Sequence, residues 1–128
     1  MLSRCGILFM HVLGKLPLGW VRAMGWLLGW ALYAVASSRR KVVRTNLRLC
    51  FPDWPESRMK SVAIETFIHF AQAWLDRGWL WHASPEVTQR RLRLPGDLQA
   101  LAGDARVVIF SPHFVGLDAG WTAVTQQV

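Results

Sequence analysis

Acidic residues are missing from the amino-terminal part of this chain. Met1 to Pro52 contains eight arginines and lysines but no Asp or Glu, whereas the residues from Asp53 onward include seven basic and eight acidic side chains. The formal net charge of +7 therefore arises entirely within the first 52 residues. A charge concentrated in one segment predicts an anionic partner for that segment.

Cysteine is also scarce. The chain has two cysteines, Cys5 and Cys50, which are too few for a disulfide framework and lack the spacing of a metal site. The sequence contains no glycine-rich phosphate loop, internal repeat or low-complexity tract. These absences give no indication of a nucleotide cofactor or a resident metal, and a reducing compartment is compatible with both thiols.

The chain does contain one long apolar run. The 23 residues from Leu16 to Ser38 carry a single charge, that of Arg22, and are rich in tryptophan. A helix of this length rises about 34 Å, enough to cross a hydrocarbon core of roughly 30 Å. The basic residues that follow would stay on the cytoplasmic side. We therefore predict an amino-terminal membrane helix, with residues 1–38 as the anchor and 39–52 as a basic juxtamembrane segment.

Three other interpretations of this run stay open. Residues 34–36 (Ala-Val-Ala) resemble the small-residue site of a cleaved signal peptide, although the basic residues directly after it oppose translocation. Pro17, Arg22 and several glycines suit a helix that lies in the membrane interface, which competes closely with a spanning helix. A helix buried in a protein core is the least favoured, because the chain is short. Two of the glycines, Gly25 and Gly29, are spaced to let another helix approach.

Apolar periodicity predicts two helices in the middle of the chain. The first is basic and covers Arg39–Leu49, and the second begins near Asp53 and runs to about Trp81. The apolar stripe of the second helix consists of Val62, Ala63, Thr66, Phe67, Phe70, Ala71, Trp74 and Leu75. Beyond it, Arg91–Leu94 alternates as a half-exposed strand would, and Leu98–Ala102 reads as a short helix.

The most informative segment lies between residues 105 and 120. Arg106–Phe110 is apolar and β-branched, as is typical of a strand covered on both faces, and the Ser-Pro pair after it ends the strand. His113 follows, and Asp118 comes five residues later at the start of a predicted helix. Open α/β sheets place their chemistry at the carboxyl ends of strands. His113 would act as a general base on an alcohol, with Asp118 orienting the imidazole.

The alternation of helices and strands predicts an α/β fold with βαβ units over residues 53–128. The His–Asp spacing alone is also compatible with a structural histidine that is hydrogen-bonded near a strand end.

Two motifs give the chain a family resemblance. Residues 38–53 form an arginine-rich run that ends in Asn-Leu-Arg-Leu-Cys-Phe-Pro-Asp, and residues 111–118 read Ser-Pro-His-Phe-Val-Gly-Leu-Asp. Together, and in this order, they resemble the lipid A biosynthesis acyltransferases, the late lauroyl- and myristoyl-transferring enzymes of Gram-negative inner membranes. Many members have Gly-Asn-Trp and then Glu in the second motif. This chain has Val-Gly-Leu and then Asp118, which keeps a carboxylate at the same spacing.

The resemblance implies a membrane-bound O-acyltransferase of lipopolysaccharide biosynthesis. It implies transfer of a fatty acyl chain from acyl carrier protein to a hydroxyl of a lipid A precursor, with His113 as general base and Asp118 as its partner. It calls for no metal and no cofactor beyond the acyl-acyl carrier protein as co-substrate. The enzyme would lie at the inner membrane, next to anionic lipids, with its catalytic part on the cytoplasmic side.

Family members are considerably longer than 128 residues. We therefore expect this chain to be the amino-terminal part of a longer enzyme, with an incomplete acyltransferase sheet, and to be inactive alone.

Two functions of other classes stay open. A non-catalytic membrane adaptor would dock its basic segment on lipid and bind a partner through its α/β part. A nucleic-acid binder would fit the net charge, but the basic residues adjoin an apolar run and lack interleaved aromatic side chains. We therefore expect no nucleic acid among the partners.

Overall fold

The computed structural model describes residues 2–94, 106, 108–111 and 114–127. Within these ranges the backbone forms six α-helices and no strand, so the predicted α/β class is wrong for this part of the chain. The helices are α1 (Leu2–Lys15), α2 (Leu18–Val35), α3 (Ser37–Cys50), α4 (Glu56–His82), α5 (Pro85–Arg91) and α6 (Leu117–Gln127).

The chain divides into two compact units. The first unit comprises Met1–Lys15 and Asp76–Val128, and the second comprises Leu16–Leu75. The long helix α4 contributes its last residues to the first unit and the rest to the second. The predicted boundaries at residues 38 and 52 stay a prediction.

The helix that forms in the apolar run is shorter than the predicted membrane helix, because the backbone leaves helical geometry near both ends of the run. Pro17 precedes α2 with extended angles (φ −56°, ψ 140°), and Ala36 leaves helical geometry (φ −87°, ψ 64°) before α3 begins. Helix α2 therefore has 18 residues, among them Arg22 and three glycines, whereas a bilayer core calls for about 20 predominantly apolar residues. Among the helices that the structure describes, none is long and apolar enough to cross a membrane. The prediction of a spanning amino-terminal helix is wrong.

In the second unit, α2 and α4 meet at glycines. A Cβ atom at Gly29 would lie 2.4 Å from the Cα of Ile68, and one at Gly25 would lie 2.5 Å from the Cγ of Gln72. The Gln72 amide also donates a hydrogen bond to the Arg22 carbonyl oxygen at 3.1 Å. Only a residue without a side chain permits so close an approach of two backbones. The prediction that these glycines receive another helix is confirmed.

Helix α4 also carries one row of buried side chains, each one turn after the last. The row is Met59, Ala63, Phe67, Ala71 and Leu75. This row confirms the predicted helix. The buried face of the helix is narrower than the predicted apolar stripe, because Phe70 and Trp74 of that stripe are exposed.

The carboxyl end of α2 is capped by an arginine from α3. The Arg40 guanidinium donates hydrogen bonds to the carbonyl oxygens of Tyr33 and Ala34, and its carbon lies 5.2 Å from the centre of the Tyr33 ring. A cation at this end of a helix also complements the helix dipole. This basic residue therefore stabilises the join between α2 and α3.

The turn between α3 and α4 is held by stacked side chains. Phe51 stacks on Trp54 with ring centres 4.0 Å apart, and the Arg58 guanidinium lies 4.0 Å from the centre of the Trp54 ring. Arg44 and Arg48 of α3 both pair with Glu56, the first residue of α4. The Phe-Pro-Asp motif at the end of the basic run thus forms a structured turn.

The first unit contains a second close helix contact. A Cβ atom at Gly14 would lie 2.8 Å from the carbonyl oxygen of Gly78, and one at Gly78 would lie 2.6 Å from the Cβ of Leu13. Helix α1 therefore packs against the end of α4. These residues belong to the predicted anchor of residues 1–38, and α1 was not predicted as a separate helix.

A buried threonine joins α5 to α6 in the same unit. Thr88 is fully buried, and its hydroxyl, which has one proton to donate, lies within hydrogen-bond distance of both the Gln126 side-chain oxygen and the Pro85 carbonyl oxygen. Just before α5, a hydrogen bond from the Ser84 side chain lowers the pKa of the exposed Glu86 below its usual value.

The two predicted strands do not form in the described part of the chain. Arg91 ends α5, and residues 92–94 have no regular structure. Arg106 and residues 108–110 are not in a strand, and the side chains of Val108 and Phe110 are each 94% exposed. A strand needs a neighbouring strand to pair its amides and carbonyls, and none of the residues described here supplies one. The predicted helix Leu98–Ala102 lies outside the described residues.

Substitution of Gly29 should separate α2 from α4. In Gly29→Ala the new methyl group meets the Ile68 backbone, so we expect the free energy of unfolding to fall by about 1–3 kcal/mol. Chemical denaturation followed by circular dichroism measures the change. The matched control is Gly19→Ala on the same helix, where nothing lies within 4 Å and alanine should be neutral or stabilising by up to about 1 kcal/mol. Equal stability of the two variants would contradict the close contact.

Candidate active site

Of the two predicted site residues, the structure describes Asp118 but not His113. His113 lies outside the described residues, together with Pro112 before it. Asp118 is the second residue of α6, and its side chain is 47% exposed. The helix predicted to follow the histidine is confirmed by α6. The roles of His113 and Asp118 as base and partner stay predictions.

A glycine turn sets the start of α6 and hence the position of Asp118. Gly116 has a φ of +91°, in the region that favours glycine. The Leu117 amide donates to the Phe114 carbonyl oxygen at 3.1 Å, and the Ala119 amide donates to the Gly116 carbonyl oxygen at 3.0 Å. Asp118 therefore lies in the first helical turn, where the helix dipole favours a negative charge.

Asp118 forms an ion pair with an arginine from α4. The Arg77 Nε donates a hydrogen bond to the Asp118 Oδ2 at 2.6 Å. The Arg77 side chain is 37% exposed, and its guanidinium carbon lies 6.0 Å from the centre of the Trp81 ring. Because both partners are partly solvated, this pair contributes little to stability. Sequence reasoning missed it, since 41 residues separate the partners and no local spacing connects them.

An open cavity of about 430 Å³ lies beside this pair. Its walls are apolar at Trp81, Trp121 and Leu117, and polar at Ser111, Asp118 and Thr122. A concave site with apolar walls and a few polar groups is the usual form of a small-molecule site. The arrangement can hold an apolar group with one end close to a carboxylate.

A second surface with functional features lies on α2 and α3. Helix α2 exposes three tryptophans, of which Trp20 is 69% exposed, and it also exposes Leu27 and Val35. Helix α3 has no buried residue and carries five of the basic residues. Exposed apolar side chains beside a basic helix are typical of a surface that contacts anionic lipid.

Metal ligands do not cluster in the part of the chain that the structure describes. No group of three or more His, Cys, Asp or Glu side chains there could hold a metal ion. Two histidines, His11 and His82, form a stacked pair with ring centres 4.0 Å apart.

Comparison with known proteins gives a consistent picture. The family model described as bacterial lipid A biosynthesis acyltransferase matches residues 1–128. A protein of Haemophilus influenzae named lipid A biosynthesis acyltransferase is 28% identical over 109 residues, which cover 82% of this chain and 35% of that protein. The chain thus spans about a third of the length of this curated relative. No solved structure matches the chain.

Substitution of Gly116 should weaken the first turn of α6. In Gly116→Ala a side chain must adopt a φ of +91°, which costs about 1–2 kcal/mol although nothing lies within 4 Å to clash. We expect reduced hydrogen-exchange protection of the α6 amides. Gly120→Ala is the control within α6, where the open surroundings and the helix propensity of alanine predict unchanged or increased protection. Equal protection in the two variants would refute the requirement for glycine at 116.

Proposed function

This chain belongs to the bacterial lipid A biosynthesis acyltransferase family, and on that basis we propose that the protein carries out acyl transfer in lipid A biosynthesis. The observation that carries the proposal is the family match over residues 1–128. The similarity to the Haemophilus influenzae protein named lipid A biosynthesis acyltransferase supports it. The donor would be the thioester of acyl carrier protein, and the acceptor would be a hydroxyl of a lipid A precursor.

The proposed chemistry is base-assisted attack of an alcohol on a thioester. His113 takes the proton of the acceptor hydroxyl, and the oxygen forms an ester bond with the acyl carbon. The carbon–sulfur bond breaks, and the proton held by His113 passes to the departing thiolate. A positioned general base contributes about 10²- to 10⁴-fold to the rate.

Asp118 would orient His113 and stabilise the imidazolium that forms. Two described features support this role. The carboxylate lies in the first turn of α6, where a negative charge is favourable. It also lines the cavity with Trp81 and Trp121, whose apolar walls suit a hydrocarbon chain.

The proposed location is the cytoplasmic face of the inner membrane. The exposed tryptophans of α2 and the basic residues of α3 support contact with the interface of an anionic bilayer. The same positive charge suits an anionic glycolipid acceptor and an acidic carrier protein.

Loss of the base should abolish most of the activity. In the full natural protein, we expect His113→Ala to lower the rate of acyl transfer from acyl carrier protein to a lipid A precursor by at least about 100-fold. The product is measured by lipid mass spectrometry in membranes with equal amounts of enzyme. The control is His69→Ala, which removes an exposed histidine of α4. Equal activity of the two variants would overturn the general-base role and favour the adaptor.

A charge reversal on α3 should weaken lipid binding. We expect Lys41→Glu to raise the Kd for vesicles of anionic phospholipid about 5- to 30-fold, because each basic side chain near such a surface contributes about 1 kcal/mol. Co-flotation with vesicles at physiological salt measures the Kd. Lys60→Glu makes the same change at an exposed position of α4 and should leave binding within about twofold of the unmodified protein. A similar loss in both variants would contradict a specific lipid-facing role for α3.

A further inference from the structure

The proposed mechanism uses Asp118 but assigns nothing to Arg77. The hydrogen bond between them joins the Arg77 Nε to one carboxylate oxygen, Oδ2, at 2.6 Å. We infer that Arg77 is a positioning residue, which fixes the Asp118 carboxylate for its proposed role as the partner of His113. This inference rests on the proposed function and names a residue that acts through Asp118.

Arg77 comes from a firmly held part of the first unit. Its neighbour Asp76 is buried and accepts a hydrogen bond from the buried Trp79 indole at 2.9 Å. Gly78 packs directly against Leu13 of α1. The backbone that carries Arg77 is therefore fixed on both sides, and a rigid element positions a functional side chain better than a loop does.

The guanidinium itself is held from two directions. It contacts Asp118 on one side and lies 6.0 Å from the centre of the Trp81 ring on the other. Trp81 is one turn further along α4 and also lines the cavity beside Asp118. The planar guanidinium restricts the carboxylate more than a rotatable ammonium would.

The hydrogen bond from Arg77 engages one of the two carboxylate oxygens of Asp118. Within the residues that the structure describes, Oδ2 is the Asp118 carboxylate oxygen that receives a hydrogen bond. A carboxylate that orients a catalytic imidazole needs one oxygen fixed and the other directed at the ring nitrogen. Arg77 meets the first requirement, because it holds Oδ2.

A purely structural ion pair would behave differently. Both side chains are more than a third exposed, and such pairs contribute little to stability. Misplacement of a catalytic group by about 1 Å can lower a rate by about 100-fold. A large fall in kcat with little change in stability therefore separates positioning from packing.

The test compares three variants of the full natural protein in the acyl-transfer assay. We expect Arg77→Met to lower kcat about 10- to 100-fold with KM for both substrates within about twofold. Arg77→Lys keeps a donor and a charge but loses the planar guanidinium, and its kcat should lie between those of Arg77→Met and the unmodified protein. Arg90→Met removes an exposed arginine of α5 and should leave kcat unchanged.

The decisive measurement is a double-mutant cycle with Asp118→Asn. If Arg77 acts through Asp118, Arg77→Met lowers kcat in the unmodified background and has little further effect once Asp118 is replaced. Unfolding midpoints of all variants are measured in parallel.

Each other outcome has a distinct meaning. If Arg77→Met has the same kcat as Arg90→Met, the positioning role is overturned and the proposed function stays intact. An equal fall in kcat with and without Asp118→Asn would also overturn the positioning role. So would a fall in kcat that is matched by a loss of stability and is not rescued in Arg77→Lys. Absence of acyl transfer by the unmodified protein would overturn the proposed function, and this inference with it.

Discussion

The close approach of helices to α4 at glycine positions is the constraint on which this structure depends. In the second unit, Gly29 of α2 leaves no room for a Cβ atom against Ile68. In the first unit, Gly14 of α1 and Gly78 of α4 meet in the same way. In the second unit, a row of small and apolar side chains of α4 is buried. Within each unit, one helix thus packs closely against the part of α4 that belongs to that unit.

The candidate site depends on the same helix. Helix α4 carries Arg77 and Trp81 in its last turns, and both lie next to Asp118 of α6. The Gly116 turn starts α6 where its second residue can meet the arginine. The Asp118 carboxylate and the indoles of Trp81 and Trp121 thus line one cavity, and the Arg77 guanidinium pairs with that carboxylate. Such a combination suits binding of an apolar group next to a carboxylate.

The parts of the fold that were predictable have a repeating local signal. Helices α3 and α4 were predicted from apolar side chains that recur at helical spacing. The close contact of α2 was predicted from two glycines that lie four residues apart. The incorrect predictions concern segments whose state depends on neighbours. Val108 and Phe110 have strand propensity, but propensity forms no strand without a partner to hydrogen-bond. The apolar run was predicted as one membrane helix, yet Pro17 and Ala36 limit α2 to 18 residues.

The sequence by itself determined the family, the basic amino-terminal segment and the carboxylate five residues after a histidine, because each is a fixed order of residue types along the chain. It did not determine which helix faces which, or that Asp118 would meet Arg77, because that ion pair joins residues 41 positions apart. Such contacts arise only when backbones pack closely enough to bring distant side chains within hydrogen-bond distance. That packing depends on the absence of side chains at a few glycines. The sequence indicated Gly25 and Gly29 by their spacing, whereas the contact of Gly14 with Gly78, and the residues that each glycine meets, appear only in the tertiary structure.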